Sequence, residues 1–306
     1  MSEIVINAQN LSKNFYNFDS RLPFIKRFLK RNQITIRAVQ DISFTIKRGS
    51  IVGFIGSNGA GKSTTIKMLT GTLYPSSGKL EVNGEIPFKR SINFRKKISI
   101  VVGNKLQLFQ DVSAMDYFQL IGTLYEVEPA ILQERIQELS NLLNVKDQLY
   151  QQVRTLSLGQ KMKMEFIAAS LTSPEILFLD EPTIGLDIQS KKDIRTFLKK
   201  MNEECHTTII LTSHDMDDIS SVCDELIVID KGKIILQESM DVILSKFSDF
   251  KYLKIKMTLD LVPELCSVKG VVVISQTKSE CILKIPRDFV FETLESINKL
   301  VDIEDF

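Results

Sequence analysis

A glycine-rich stretch, GSNGAGKST, occupies residues 56–64 of this chain. The apolar run before it, Ile51–Ile55, is too short for a buried helix and predicts a strand. After it, Ile66, Met68 and Leu69 fit the apolar side of a helix. A strand, a glycine-rich turn and a helix in this order gather backbone N–H groups and a positive helix N-terminus around one point. The stretch is therefore predicted to bind a phosphate chain.

The residues of this phosphate loop divide the binding between backbone and side chains. The glycines let the backbone curl so that successive amides point inward. Lys62 is expected to reach the β- and γ-phosphates, and the Ser63 hydroxyl to ligate Mg²⁺. The pattern therefore predicts that the loop binds ATP and Mg²⁺. The alternative is a plain glycine-rich turn with an exposed lysine, but such a turn needs neither the full pattern nor a strand before it and a helix after it. The predicted ATP-binding residues of the loop are Gly56, Ser57, Asn58, Gly59, Ala60, Gly61, Lys62, Ser63 and Thr64.

Two adjacent carboxylates end a second apolar run, ILFLDEP at residues 176–182. They stand at the carboxyl end of a predicted strand, where open α/β sheets bind their ligands. Asp180 is predicted to hold magnesium, directly or through water, and Glu181 to act as general base on the attacking water. The competing interpretation, a cap for the next helix, explains one acid but poorly explains two.

Short apolar runs predict the central strands of a parallel sheet that is covered on both faces. These runs are Ile51–Ile55, Ile176–Leu179, Ile209–Leu211 and Leu226–Ile229. Helical patterns lie between them, so the fold class is α/β.

A helical insert is predicted within this domain, with two helices over residues about 112–150 and an end near residue 170. The first helix follows a candidate cap at Ser113, and the second starts at Pro129, a residue favoured at the first helical position. Their predicted apolar faces are Met115, Phe118, Ile121 and Leu124, then Leu132, Ile136, Leu139 and Leu143.

The end of the chain has another pattern, which resembles a split βαβ, ferredoxin-like module. The predicted elements are a strand (Tyr252–Met257), a helix or turn (Val262–Val268), two strands (Val271–Ser275 and Cys281–Ile285), a helix (Phe289–Leu300) and a strand (Val301–Phe306). We therefore expect two domains, 1–240 and 241–306.

Composition limits the classes of partner. The chain has 39 basic and 38 acidic residues, so its net charge of +1 argues against nucleic acid as the main partner. No run approaches the roughly 18 apolar residues of a membrane-spanning helix, and the N-terminus lacks a signal-peptide pattern. The cysteines are interpreted as reduced, buried thiols of a cytoplasmic protein, because they show no metal-ligand spacing. They are Cys205, Cys223, Cys266 and Cys281.

The order of several motifs resembles the ABC ATPases. After the phosphate loop come LSLGQ at 156–160, the Asp180–Glu181 pair, GLD at 185–187 and His214. The resemblance covers residues about 1–238. It implies a P-loop NTPase fold, an ABC-type ATP-binding domain with an antiparallel β subdomain and a helical insert, that hydrolyses ATP. The C-terminal α+β, ferredoxin-like domain lies outside the resemblance.

LSLGQ resembles the family's LSGGQ-type signature, which opens a helix and contacts the γ-phosphate held by a partner's phosphate loop in a head-to-tail dimer. The resemblance implies that Ser157 and the amide of Gly159 make this contact. Leu158 departs from the family pattern, which has a glycine there and a close backbone approach to the phosphate. Taken alone, the motif indicates only a helix start. Its matching residues are Leu156, Ser157, Gly159 and Gln160.

The resemblance gives three further residues a role. His214, in TSHD, matches the switch histidine that bonds the γ-phosphate and positions water. Asp187 matches the dimer-contacting acid of the D-loop, with a solvated turn cap as the alternative. Phe15 matches the aromatic residue that stacks on adenine, with Tyr16 as runner-up and a core position as the alternative.

The family's bridging glutamine, which joins the magnesium site to the insert, has no unique match. Strict register against ISIVV at 98–102 puts Gly103 at that place. Gln107 becomes the equivalent if the loop carries a short insertion, and is assigned to the catalytic and magnesium site. Gln110 is second, and a surface glutamine is the alternative.

A narrower resemblance is to the ATP-binding subunits of bacterial ABC-2-type exporters, including sodium-exporter-like members. It is carried by RAVQDISFTIKRGSIVGFIGSNGAGKS, by PFKR at 87–90, and by LFLDEPTIGLD followed by LTSHDMDDI. It implies a separate integral-membrane permease as partner, a head-to-tail nucleotide-sandwich dimer, and a peripheral place on the cytoplasmic face of the membrane. The alternatives are a soluble ABC ATPase acting on nucleic acid or ribosomes and a ligand-sensing regulatory ATPase.

One segment departs from the family pattern. Residues 17–37 lengthen an early hairpin and contain RLPFIKRFLKR at 21–31, whose apolar residues share one helical face opposite basic ones. This face is expected to lie on an anionic membrane surface or the permease, or to pack on its own domain.

Overall fold

The structure, a computed structural model, describes residues 3–18, 33–248, 250–256, 271–276 and 280–286 of the 306-residue chain. Contacts between Cα atoms divide the chain into two compact units, Met1–Ser239 and Met240–Phe306. None of the helices among the described residues combines the length and apolarity needed to cross a bilayer.

The first unit contains nine of the described strands and seven of the described α-helices. The strands are β1 (Ile4–Phe18), β2 (Gln33–Lys47), β3 (Ile51–Ile55), β4 (Ser77–Val82), β5 (Ile98–Val102), β6 (Ile176–Asp180), β7 (Thr208–Ser213), β8 (Glu225–Asp230) and β9 (Lys233–Ser239). The helices are α1 (Lys62–Leu69), α2 (Ile92–Lys97), α3 (Ala114–Leu124), α4 (Pro129–Leu142), α5 (Leu158–Ser170), α6 (Ile188–Cys205) and α7 (Met216–Val222).

A six-stranded sheet carries the order β5-β6-β7-β3-β8-β9, with β5 to β8 parallel and β9 antiparallel to β8. The four predicted apolar runs are its strands β3, β6, β7 and β8, and the predicted parallel sheet is confirmed. Its register pairs Asp180 with Thr212, and Ile55 with Ser213. Three strand ends that carry candidate residues therefore meet at one edge.

A second, antiparallel sheet has the order β2-β1-β4 and confirms the implied antiparallel subdomain. Its strands β1 and β2 pair from Ile4 with Lys47 to Phe18 with Gln33. Residues 21–31, the predicted amphipathic face, lie outside the described residues. The sheet borders the phosphate loop, because a Cβ atom on Gly61 would stand 2.7 Å from the carbonyl oxygen of Ala38.

The helical insert follows its sequence signals closely. Ser113 caps α3 and forms a capping box with Asp116, and α4 starts at Pro129, as predicted. The predicted apolar face of α4 is buried. The predicted apolar face of α3 is wrong at its last residue, because Leu124 is 63% exposed. Each step of three residues turns a helix by about 300°, so Leu124 points away from Met115, three steps earlier.

The second unit contains α8 (Met240–Ser248), β10 (Phe250–Lys256), β11 (Val272–Gln276) and β12 (Glu280–Pro286). The strands form an antiparallel sheet in the order β10-β12-β11. They occupy the first three predicted strand positions of the split βαβ module. The other predicted elements, Val262–Val268, Phe289–Leu300 and Val301–Phe306, lie outside the described residues, as does Cys266. Cys223 and Cys281 are buried as predicted, whereas the prediction is wrong for Cys205, which is exposed at the last residue of α6.

Candidate functional site

The phosphate loop joins β3 to α1 with its backbone in tight contact with the strands around it. A Cβ atom on Gly56 would stand 2.2 Å from the carbonyl oxygen of Ile229, so any larger residue would displace β8. Gly61 has a φ of 113° and precedes α1 with no side-chain cap. The N–H groups of the first helical turn are thus left for a ligand, as an anion requires.

Lys62 is held inside the loop rather than extended into solvent. Its side chain is 5% exposed, and its Nζ donates to the carbonyl oxygens of Gly56 at 2.7 Å and Ser57 at 3.3 Å. The same ammonium lies 3.6 Å from Oε1 of Glu181. A positive charge from the loop thus stands beside the carboxylate predicted to act as base.

Asp180, at the end of β6, is hydrogen-bonded to the start of α1 and to β7. Its Oδ1 accepts hydrogen bonds from Ser63 Oγ at 2.9 Å and from Thr212 Oγ1 at 2.7 Å. The site of the predicted metal is therefore built from oxygen atoms of the loop and of β6. Two oxygen ligands, with phosphate and water completing the set, is the usual way in which proteins hold Mg²⁺. Ser63 and Asp180 fit that ion.

Glu181 begins the turn after β6 in a strained backbone conformation, with a φ of 51°. Its N–H donates to the carbonyl oxygen of Thr212 at 3.1 Å and to Thr212 Oγ1 at 3.0 Å. These bonds to the fully buried Thr212 hold the turn. The Oε2 atom of Glu181 lies 2.6 Å from Nδ1 of His214, so the two predicted catalytic side chains meet.

Ser157 caps the signature helix α5 and forms a capping box with Gln160. Gly159 packs on the start of α6, where a Cβ atom would stand 2.2 Å from Ser190 Oγ and 3.0 Å from Asp187 Oδ2. Leu158 is 44% exposed. The second glycine of the family's signature is thus needed at position 159, whereas position 158 has space for the leucine side chain.

Asp187 caps α6 by accepting from Ser190 N at 2.8 Å and Ser190 Oγ at 2.7 Å. The hydrogen bond from the Ser190 hydroxyl, and to a smaller extent that from the Ser190 N–H, holds the pKa of the Asp187 carboxyl below its usual range. The capping alternative is therefore present in the structure, and an exposed capping residue is also free to face a partner.

The two candidate positions of the bridging glutamine lie in different surroundings. Gly103 abuts Glu181, since a Cβ atom there would stand 1.9 Å from the carbonyl oxygen of Glu181. A glutamine therefore does not fit at 103. The Gln107 side chain donates to the carbonyl oxygen of Ile100 at 2.9 Å, and this bond does not join it to Ser63 or Asp180. Gln110 donates to the carbonyl oxygen of Leu108 at 3.4 Å.

Phe15 lies on β1 opposite Ile36, two residues from the stretch of β2 that borders the phosphate loop. Its ring is 39% exposed, and Lys13 Nζ lies 5.3 Å from the ring centroid. Tyr16 is 60% exposed. Neither aromatic residue is in the core, so both have a surface on which a base could stack.

Sequence reasoning missed several residues that hold the site together. Thr212 is the first, although its place before the switch histidine in TSHD was a usable signal. Lys191 on α6 pairs with Asp215, next to His214, at 2.7 Å. Asp218, 1% exposed, accepts from Thr183 Oγ1 and from Arg195 Nε at 2.8 Å.

Comparisons with known proteins agree with this geometry. Residues 39–184 match the family described as ABC transporter. The ABC transporter ATP-binding protein NatA of Bacillus subtilis is 32% identical over 216 residues, which cover 71% of this chain and 87% of that protein. The linearmycin resistance ATP-binding protein LnrL of the same organism is 34% identical over 197 residues, 64% of this chain and 63% of that protein. A solved dimeric, post-hydrolysis ATP-binding cassette with bound ADP and Pi has a similar fold, with a TM-score of 0.64 at 20% identity over 77% of this chain and 98% of that one.

Proposed function

The chain belongs to the ABC transporter family of ATP-binding proteins and is an ATPase, and from this premise we propose that it powers a separate membrane permease of the ABC-2 exporter type. The observation that supports ATP hydrolysis as the source of this power is the meeting of Lys62, Ser63, Asp180, Glu181 and His214 at one edge of the parallel sheet. This set matches the parts that phosphoryl transfer to water requires.

Each of these side chains has one task in the proposed reaction. Lys62 and the N–H groups of the loop neutralise the β- and γ-phosphates. Glu181 accepts a proton from the attacking water, and His214 bonds the γ-phosphate while orienting Glu181. Ser63 and Asp180 hold Mg²⁺, which when bound neutralises charge that develops on the phosphate oxygens. Phe15 stacks on the adenine.

The active form in this proposal is a head-to-tail dimer with ATP between the phosphate loop of one chain and Ser157 and Gly159 of the other. The N-terminus of α5 is exposed at Ser157, as such a contact requires. Asp187 contacts the partner at the same interface. A similar fold is dimeric with ADP and Pi bound, which supports this arrangement.

Export is favoured over import by the sequence resemblance and by one relative's name, which refers to resistance to linearmycin. In the proposal the permease holds the substrate, and the ATPase works on the cytoplasmic face of the membrane through it. The first unit supplies the ATP-binding domain, over about residues 1–240, and residues 241–306 form an accessory domain.

The test has two parts. First, the purified chain is assayed for phosphate release from Mg·ATP. Second, the tagged chain is purified from gently solubilised native membranes, with a salt-washed control, and its partners are identified by mass spectrometry. A stoichiometric multi-span protein is expected. Recovery with ribosomes, with DNA or without any partner would overturn the transporter proposal while leaving the ATPase intact.

A further inference from the structure

A carboxylate outside the set described above connects two parts of the site. Glu165 lies on α5, eight residues after Ser157, which corresponds to about 12 Å along the helix axis. Its Oε1 accepts the backbone N–H groups of Gln107 and, at 2.8 Å, Leu108. Glu165 is 4% exposed, so its charge is desolvated and is stabilised chiefly by these two amides.

The loop held by Glu165 is attached at its other end to β6, the strand that ends at Asp180. The N–H of Gly103 donates to the carbonyl oxygen of Asp180 at 2.9 Å, and Gly103 packs directly on the backbone of Glu181. Residues 103–108 therefore reach from the end of β6 to the signature helix. A displacement of either end must move or break this short segment, since three residues separate its two anchored parts.

We propose that Glu165 is a positioning residue that fixes loop 103–108 to the signature helix, so that a movement of α5 on a partner's nucleotide reaches the Asp180–Glu181 turn and Gln107. This proposal rests on the proposed dimer. In that dimer the loop would connect α5 mechanically to the base Glu181, a connection that the ATP shared between the two chains does not provide. In this role Glu165 contacts neither the attacking water nor the nucleotide.

The surroundings of Glu165 favour a positioning role over a packing role. Glu165 and Gln107 line a cavity of about 410 Å³ between α2, α3, α5 and β5. Arg90, Arg95 and Tyr117 also line it. A buried carboxylate beside a cavity is costly where an apolar side chain would fit, so its presence there indicates a task for its two hydrogen bonds.

The test compares Glu165→Ala and Glu165→Gln with a matched control, Lys163→Met. Lys163 is also buried on α5, but it pairs with Asp193 at 2.6 Å and faces α6. Amide hydrogen exchange is measured for residues 104–109, with and without ATP, in a Glu181→Gln background. Turnover and the KM for ATP are measured with Glu181 intact.

Glu165→Ala is expected to raise exchange at Gln107 and Leu108 about 10-fold or more without nucleotide, because a hydrogen bond to a charged group is lost at each amide. It should remove the response of these amides to ATP and lower kcat, with KM for ATP changed less than about 2-fold. Glu165→Gln keeps an acceptor oxygen and should restore most of kcat. Lys163→Met should lower thermal stability without releasing the loop.

Unchanged exchange and kcat in Glu165→Ala, or an equal release of the loop in Lys163→Met, would overturn the proposal. These outcomes are distinct from failure of the proposed function. If the unmodified chain neither hydrolyses ATP nor dimerises, the function fails, while exchange without nucleotide still measures whether Glu165 holds the loop.

Discussion

The Nδ1 atom of His214 and the Oε2 atom of Glu181 lie 2.6 Å apart. A carboxylate only accepts hydrogen bonds, so Nδ1 is the donor and Nε2 is the ring nitrogen left for a further partner. The Glu181 side chain is 19% exposed and that of His214 58%. The Glu181 carboxylate is therefore largely shielded from solvent, whereas the His214 ring that contacts it is open to solvent.

Glu181→Gln is expected to keep ATP binding and to lower phosphate release by about 10²- to 10⁴-fold, because an amide does not accept the proton of the attacking water. Closed dimer should accumulate with ATP. Phosphate release, fluorescent-ATP binding and light scattering measure the three effects. Glu134→Gln, an exposed exchange on α4, is the matched control. Undiminished turnover in Glu181→Gln would refute its assignment as base.

Sequence patterns predicted several strands of the parallel sheet and the helix starts of the insert closely. The run Ile51–Ile55 matches β3 at both ends, and Ser113 and Pro129 mark the starts of α3 and α4. Such signals are local, since burial on both faces, a capping hydroxyl and a fixed φ act within a few residues. The candidate residues 62, 63, 180 and 181 could be assigned because parallel strands bring their carboxyl ends together. His214 was assigned from the family resemblance.

The sequence could not resolve the loop after β5. Strict register favoured Gly103, whereas Gln107 became the equivalent if the loop carries a short insertion. The choice depends on how close β5 and β6 bring two backbones. The 1.9 Å between a hypothetical Cβ at 103 and the oxygen of Glu181 excludes a side chain there. Glu165 escaped prediction for a similar reason, because its partners are backbone amides 57 and 58 residues away.

Ser63→Ala is expected to raise the Mg²⁺ concentration needed for half-maximal ATP hydrolysis about 10-fold or more, because the metal loses an oxygen ligand and Asp180 loses a donor. A Mg²⁺ titration at saturating ATP measures it. Ser63→Thr, which keeps the hydroxyl, is the control and should stay near the unmodified chain. An unchanged Mg²⁺ requirement in Ser63→Ala would show that this hydroxyl does not bind the metal.

Gly159→Ala is expected to destabilise the chain by about 0.5–2 kcal/mol, since its Cβ would displace Ser190 from the cap made by Asp187. Urea unfolding measures the change, and Leu158→Ala, at an exposed neighbour, is the control. The lowered pKa of Asp187 means that its contribution is present above the unfolded-state pKa and is lost as pH falls through the folded one. The difference from the unmodified chain should therefore shrink in acid, and a constant difference would argue against loss of the cap.

Glu165→Gln is expected to gain stability relative to the unmodified chain as pH rises. Burial raises the pKa of Glu165, although the amides of Leu108 and Gln107 oppose the shift. Below the unfolded-state pKa, near 4.3, both states are protonated and the carboxyl adds no pH dependence. Between that value and the raised pKa the unfolded chain ionises first, so the unmodified chain loses up to about 1.4 kcal/mol per pH unit, whereas glutamine does not titrate. Urea unfolding of both proteins from pH 4 to 8 measures the difference, and a difference independent of pH would mean that Glu165 is not desolvated as its burial indicates.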